Sequence, residues 1–193
     1  KKYKKEKNPT FIYLARINKQ KGIMDAIEAF SIIRNQSSEI RNPVFWIVGS
    51  GEKSFVESVK EKIKQLGIAS SVKFFGFVTE EKKFELLSRA HILLVPSVHE
   101  GWGLTVSEAA NQMTPSIVYN VPGLKNTVLN NKTGIIVKVN NPDELAKEAV
   151  KLIADKTKYK IFQKNGLKSA SNMKWENTVK RSLSLIEGVK LQH

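Results

Sequence analysis

Two glutamates, Glu100 and Glu108, stand with seven residues between them. A carboxylate can accept hydrogen bonds from both hydroxyls of a vicinal diol, so such a pair suits a ligand rich in hydroxyl groups. Between them lies the turn Gly101-Trp102-Gly103, followed by Leu104 and Thr105 at the start of a helical pattern. Glycines remove side chains where the chain turns sharply, and the first amides of a helix are free to hold a phosphate oxygen. One carboxylate could hold a hexose and the other a ribose. The plain alternative is a loop acid and a surface helix acid. The two carboxylates together with the glycines favour the ligand.

A second cluster runs from Arg16 to Gly22. Arg16 offers a planar fork for a phosphate and Lys21 a point charge beside it. Together they could neutralise a diphosphate without a metal ion. The alternative is an ordinary basic loop, although helix starts prefer acids. Further along, Gly49-Ser50-Gly51 would let backbone amides approach a ligand, or simply make a tight turn. In Phe75-Gly76-Phe77-Val78, Phe77 and Val78 could bound a slot for a planar base, or pack in the core. His91, His99 and His193 lack acidic or Cys neighbours at ligand spacing, so no metal site is expected. Asp-x-Asp, Gly-x-Ser-x-Gly and Walker A patterns are absent from the sequence.

The elements that must position these residues alternate. Apolar runs predict strands over 11–16, 44–48, 72–75, 91–95, 116–119 and 134–139. Helical periodicity predicts helices over 22–35, 52–66, 80–89, from the glycine turn to about 113, and over 123–129, 142–154, 158–170 and 175–186. Continuous apolar strands imply burial on both faces, hence a parallel sheet between helices. The expected fold is α/β: a doubly wound, mostly parallel six-stranded sheet with helices on both faces, a single Rossmann-like domain. Ligands bind such sheets beyond the carboxyl ends of the strands, where all the clusters above fall.

The chain has 193 residues and 41% hydrophobic content, enough for a buried core. It contains no cysteine, which excludes disulfides and thiolate metal sites and fits a cytoplasmic protein. No apolar run approaches the ~18–20 residues of a membrane span. It begins Lys1-Lys2-Tyr3, without an initiator Met or a signal pattern, so it is expected to be a piece of a longer protein. The net charge of +14 is uneven. Residues 1–8 carry five lysines against Glu6 and are expected to form a loose basic tail, with residues 9–193 as the domain. Residues 151–193 carry ten Lys or Arg against three acids. This charge is not interleaved with aromatics, so no nucleic-acid partner is expected. Contact of the basic C-terminal helices with an anionic membrane, on its cytoplasmic face, is expected instead; a solvated lysine-rich surface is the alternative.

These residues resemble the C-terminal, donor-binding domain of GT-B glycosyltransferases of family 4, also called glycosyl transferases group 1. The pattern P-S-x-x-E-G-F-G-L-x-x-x-E-A is matched over residues 96–109, with Trp102 in place of Phe. A G-R-x-x-x-x-K-G pattern is matched over residues 15–22, with Ala15 in place of Gly. A third, glycine-rich element is matched more loosely over 122–128 and at Thr133-Gly134, with two of its usual residues changed.

The resemblance implies a retaining, metal-independent hexosyltransferase that uses a nucleotide-diphospho-sugar donor. It implies that Arg16 and Lys21 contact the donor diphosphate and stabilise the leaving group, and that Glu100 contacts the donor sugar. Backbone amides from Gly101 through Trp102, Gly103, Leu104 and Thr105 would hold the sugar or distal phosphate. Glu108 would bind the ribose hydroxyls. Gly51, Phe77 and Val78 would lie along the nucleotide. An N-terminal acceptor domain on the same polypeptide is the implied partner, so the isolated chain is expected to bind donor and not to transfer sugar. A catalytically inactive nucleotide-sugar-binding module remains the alternative.

Overall fold

The computed structural model describes residues 3–36 and 40–172. The helix expected over 175–186 lies outside the described residues. Six strands form one sheet: β1 (Thr10–Leu14), β2 (Val44–Val48), β3 (Val72–Gly76), β4 (Ile92–Val95), β5 (Ser116–Val118) and β6 (Gly134–Ile136). All neighbours are parallel, in the order β3-β2-β1-β4-β5-β6. The connecting helices are α1 (Ile23–Gln36), α2 (Lys53–Gln65), α3 (Glu80–Arg89), α4 (Leu104–Asn111) and α5 (Pro122–Thr127). α6 (Pro142–Ala154) and α7 (Lys156–Asn172) follow the last strand.

The order reverses between β1 and β4. Right-handed crossovers therefore carry α1 and α2 to one face and α4 to the other. Accordingly α1 packs on α2 and α6, and α4 packs on α3 and α7. This is the doubly wound sheet expected from the alternation, and its ligand crevice is expected where β1 and β4 diverge.

Aromatic side chains fill the space between β1, β2 and α1. Phe30 stacks on Phe45 with centroids 5.1 Å apart, and Phe11 lies 6.2 Å from Phe30. The strands are apolar on both faces because helices cover both faces, with one exception. β3 is one of the two edge strands; Lys73 and Phe74 are exposed, so its apolar sequence is not matched by burial.

The described part of the expected N-terminal tail, residues 3–8, makes contacts with α3. Tyr3 N–H donates to Ser88 Oγ, Glu6 N–H donates to Arg89 O, and the Glu6 carboxylate pairs with Arg89 at 2.5 Å. Lys5 is drawn inward by carbonyl and hydroxyl acceptors. No described helix is long and apolar enough to cross a membrane.

Candidate functional site

The chain leaves β1 under tight control. Tyr13 is fully buried and donates its hydroxyl to Arg16 O at 2.9 Å. Burial pushes the phenol pKa above its usual range, so it stays protonated and keeps donating. Asn18 then caps a short 3₁₀ turn at Lys19–Lys21, its side-chain oxygen accepting from Lys21 N–H at 3.0 Å. Gly22 closes that turn with φ of 69°. A Cβ there would lie 1.9 Å from Pro96 O, so only glycine lets the loop after β4 rest on this turn. Val98 N–H donates to Gln20 O at 3.0 Å across the same junction.

This contact brings together side chains 79 positions apart. Lys21 Nζ lies 2.7 Å from Glu100 Oε2, and each side chain is 19% exposed. The loop carrying Glu100 is held from its other side by α5. A Cβ on Gly123 would lie 2.0 Å from Glu100 O, and the Thr127 hydroxyl donates to Trp102 O. Gly103 caps α4 with no side-chain hydrogen bond; Val106 N–H donates to Gly103 O, and the first amides, of Leu104 and Thr105, have no side-chain cap.

A cavity of about 240 Å³ opens at the carboxyl ends of β1 and β4. It is lined by Arg16 and Lys21 from one loop and by Glu100, Trp102, Gly103, Leu104 and Thr105 from the other. Arg16 is exposed, and its guanidinium makes no hydrogen bond or ion pair among the described residues. The cavity thus joins an unpaired guanidinium, an ammonium–carboxylate pair and an uncapped helix start. That combination can bind a phosphate beside a group that donates hydroxyls.

The sequence profile described as Glycosyl transferases group 1 matches residues 1–169. The chain belongs to the glycosyl transferases group 1 family. It is 29% identical over 175 residues to an uncharacterized glycosyltransferase of Methanocaldococcus jannaschii, covering 90% of this chain and 43% of that protein. Its fold is that of Anabaena HepE, solved in complex with UDP and glucose, at a TM-score of 0.81 and 20% identity, over 94% of this chain and 48% of that one. The C-terminal domain of the group 1 protein LpcC from Francisella tularensis matches at a TM-score of 0.75 and 19% identity, over 89% of this chain and 95% of that one. The chain therefore spans under half the length of the full proteins it matches and nearly all of a separately crystallised C-terminal domain.

The other expected site residues of this group 1 domain lie outside the cavity. Glu108 sits on α4, facing α3, where Lys83 Nζ reaches its Oε1 at 2.6 Å and Glu80 at 2.8 Å. Burial works to lower the Lys83 pKa, but the hydrogen bonds and charges of Glu108 and Glu80 outweigh it and hold the ammonium above its ordinary value. Phe77 is 86% exposed just beyond β3, and Val78 packs partly against the core. A Cβ on Gly51 would lie 2.1 Å from Ile17 O, so this glycine is required for the packing of the loops after β1 and β2.

The structure adds Ser97, Tyr13 and Lys83 to the surroundings of the expected site residues. Ser97 is 1% exposed and lines the cavity; its place in the P-S pattern was the available signal. Tyr13 lines it as well but reads as a core aromatic from its strand. Lys83 carries no motif, and only the packing of α3 on α4 brings it to Glu108.

Proposed function

We propose that this chain is the donor-binding half of a glycosyltransferase that takes a nucleotide-diphospho-sugar, with UDP-sugars the first candidates. The observation that carries this reading is the convergence of Arg16, Lys21 and Glu100 on one cavity at the diverging ends of β1 and β4. The base assignment is supported by the UDP complex of the HepE structure. In this reading the transfer is retaining and needs no metal ion, because Arg16, Lys21 and the start of α4 take the diphosphate charge. Glu100 accepts from the sugar hydroxyls, and Glu108 accepts from the ribose. An N-terminal acceptor domain completes the cleft, and a glycan or lipid-linked acceptor receives the hexose.

The charges suggest how the reaction is assisted. Breaking the glycosidic bond leaves an oxocarbenium-like sugar and a growing negative charge on the diphosphate. Preorganised donors placed where that charge develops lower the barrier, typically by ~2.7–4 kcal/mol for each donor. Arg16 and Lys21 fill that role.

Thermal melting of the chain with UDP-, GDP- and ADP-glucose tests the reading. A ligand at about 100 times its Kd stabilises the fold by about 2.7 kcal/mol, which is a measurable shift. A shift with UDP-glucose alone is the expected result. No shift with any of the three would overturn it. The isolated chain is expected to show no transfer to simple acceptors, and turnover by it would refute the need for a second domain.

Peripheral membrane contact belongs to the same proposal. α7 carries Lys156, Lys158, Lys160, Lys164 and Lys168 and no acidic residue. Cosedimentation with vesicles should rise with anionic lipid; binding indifferent to anionic lipid would remove this part.

A further inference from the structure

Glu100 has a partner in the cavity, and that partner is the cation proposed to bind the diphosphate. Lys21 Nζ and Glu100 Oε2 are 2.7 Å apart, and both groups line the same cavity. Neither side chain makes another hydrogen bond among the described residues. The backbone around both is braced by close approach: Gly22 against Pro96 O, and Gly123 against Glu100 O. The carboxylate therefore cannot be withdrawn simply by relaxing its loop. A ligand that takes Lys21 leaves Glu100 without its partner unless it supplies hydrogen-bond donors in exchange, and a partly buried charge left unpaired is unfavourable.

We infer that Glu100 is a selector that admits the intact nucleotide sugar and disfavours the bare nucleoside diphosphate. This rests on the donor reading above. The intact donor can make the exchange. Its distal phosphate is a diester with a single charge that takes Lys21, while sugar hydroxyls donate to Glu100. The bare diphosphate cannot. Its terminal phosphate carries additional charge, since a phosphate monoester holds ≈ −1.5 to −2 at neutral pH. It brings no hydroxyl to the carboxylate, so it faces Glu100 with like charge against like charge. Arg16 attracts both ligands, and the more highly charged one more strongly, so the discrimination comes from the Lys21–Glu100 exchange and not from Arg16. The same arrangement favours release of the spent nucleotide: once the sugar has left, the Lys21–Glu100 pair re-forms in competition with the terminal phosphate.

Calorimetric titration of this chain with UDP and with UDP-glucose tests the inference. Glu100→Gln keeps the shape and removes the charge. It should tighten UDP about tenfold, or ~1.4 kcal/mol, and weaken UDP-glucose, so that the preference between them reverses. Glu100→Ala should tighten UDP as well, which guards against a fold defect peculiar to one variant. In a Lys21→Gln background the gain from Glu100→Gln should shrink, because the pair no longer exists to be broken. UDP affinity that is unchanged or lower in both Glu100 variants would overturn the selector role. Equal loss of UDP and UDP-glucose would overturn it while leaving the donor site standing. Failure of the unmodified chain and of both variants to bind either ligand would overturn the donor reading and this inference with it.

Discussion

The carboxyl edge of the sheet leaves Arg16 without a partner among the described residues and turns Lys21 toward a carboxylate in an open cavity. The amino edge draws its lysine inward instead. Lys5 Nζ donates to Ala90 O at 2.5 Å and to Thr114 Oγ1 at 2.6 Å, with no ion pair among the described residues. Burial lowers its pKa to about 7. Beside it His91 Nδ1 accepts from Thr10 N–H at 3.0 Å. Burial first, and the Lys5 charge second, pull His91 down to about 4, with Glu6 opposing. At this edge Lys5 and His91 are held toward their neutral forms by burial, while Glu6 and Arg89 keep an ion pair that ties the N-terminal segment to the end of α3. The carboxyl edge preserves charge that the fold itself does not consume. Charge held ready in this way is what separates a binding edge from a structural one.

Four experiments would break or sharpen this contrast. The largest effect is expected at the carboxyl edge. Lys21→Ala or Arg16→Ala in the full-length enzyme should reduce turnover by two or more orders of magnitude, from a loss of ~2.7–4 kcal/mol in barrier stabilisation, with little change in melting temperature. Near-normal initial rates in either variant would remove the catalytic role. Next is the junction that builds the site. Gly22→Ala places a Cβ 1.9 Å from Pro96 O at φ of 69°. It should lower stability by about 3 kcal/mol and disorder the cavity, as read by denaturant midpoint. An unchanged midpoint would show that the two loops can separate freely.

The amino edge should answer to pH rather than to ligand. His91 has a folded pKa of about 4 against an ordinary 6.5, so the unfolded chain takes up its proton first as pH falls. Stability is therefore present above 6.5 and lost toward 4, by on the order of 3 kcal/mol. Lys5 is about 7 when folded against 10.5, so stability should also rise with pH between those values. Melting curves across both windows check this, with His91→Gln flattening the lower limb and Lys5→Met the upper. A flat profile in the parent chain would mean that these groups are not held neutral. The smallest effect is at Lys83, whose side chain is 15% exposed. Lys83→Gln should lower stability by about 0.5 kcal/mol, as partly exposed ion pairs do. A loss above ~2 kcal/mol would class the pair with buried ones.

Much of this was legible in the sequence, for local reasons. Continuous apolar runs at 44–48 and helical periodicity at 80–89 coincide with β2 and α3 as found. Continuous apolar strands also announced a parallel sheet, since only helices on both faces bury them fully. β3 misled because apolar composition does not reveal which strand lies at the edge. The contacts of the basic N-terminal residues are not legible in the sequence, because Lys5 and Glu6 find their partners more than 80 positions away. In the site, the motifs single out Arg16, Lys21 and Glu100, and these three residues line one cavity. They did not show that Lys21 and Glu100 pair with each other, nor that Lys83 meets Glu108.

The sequence by itself determined the periodicities and the glycines: which segments are strands, which are helices, and where the backbone must come close without a side chain. These are properties of neighbouring residues, governed by sterics and by the spacing of apolar groups. The i,i+3 and i,i+4 ion pairs within helices follow from local spacing, but the tertiary structure alone decided which charges remote in the chain face one another. Ion pairing depends on distances of a few ångströms between residues remote in the chain, set here by the reversal of strand order between β1 and β4 and by the contacts of Gly22 and Gly123.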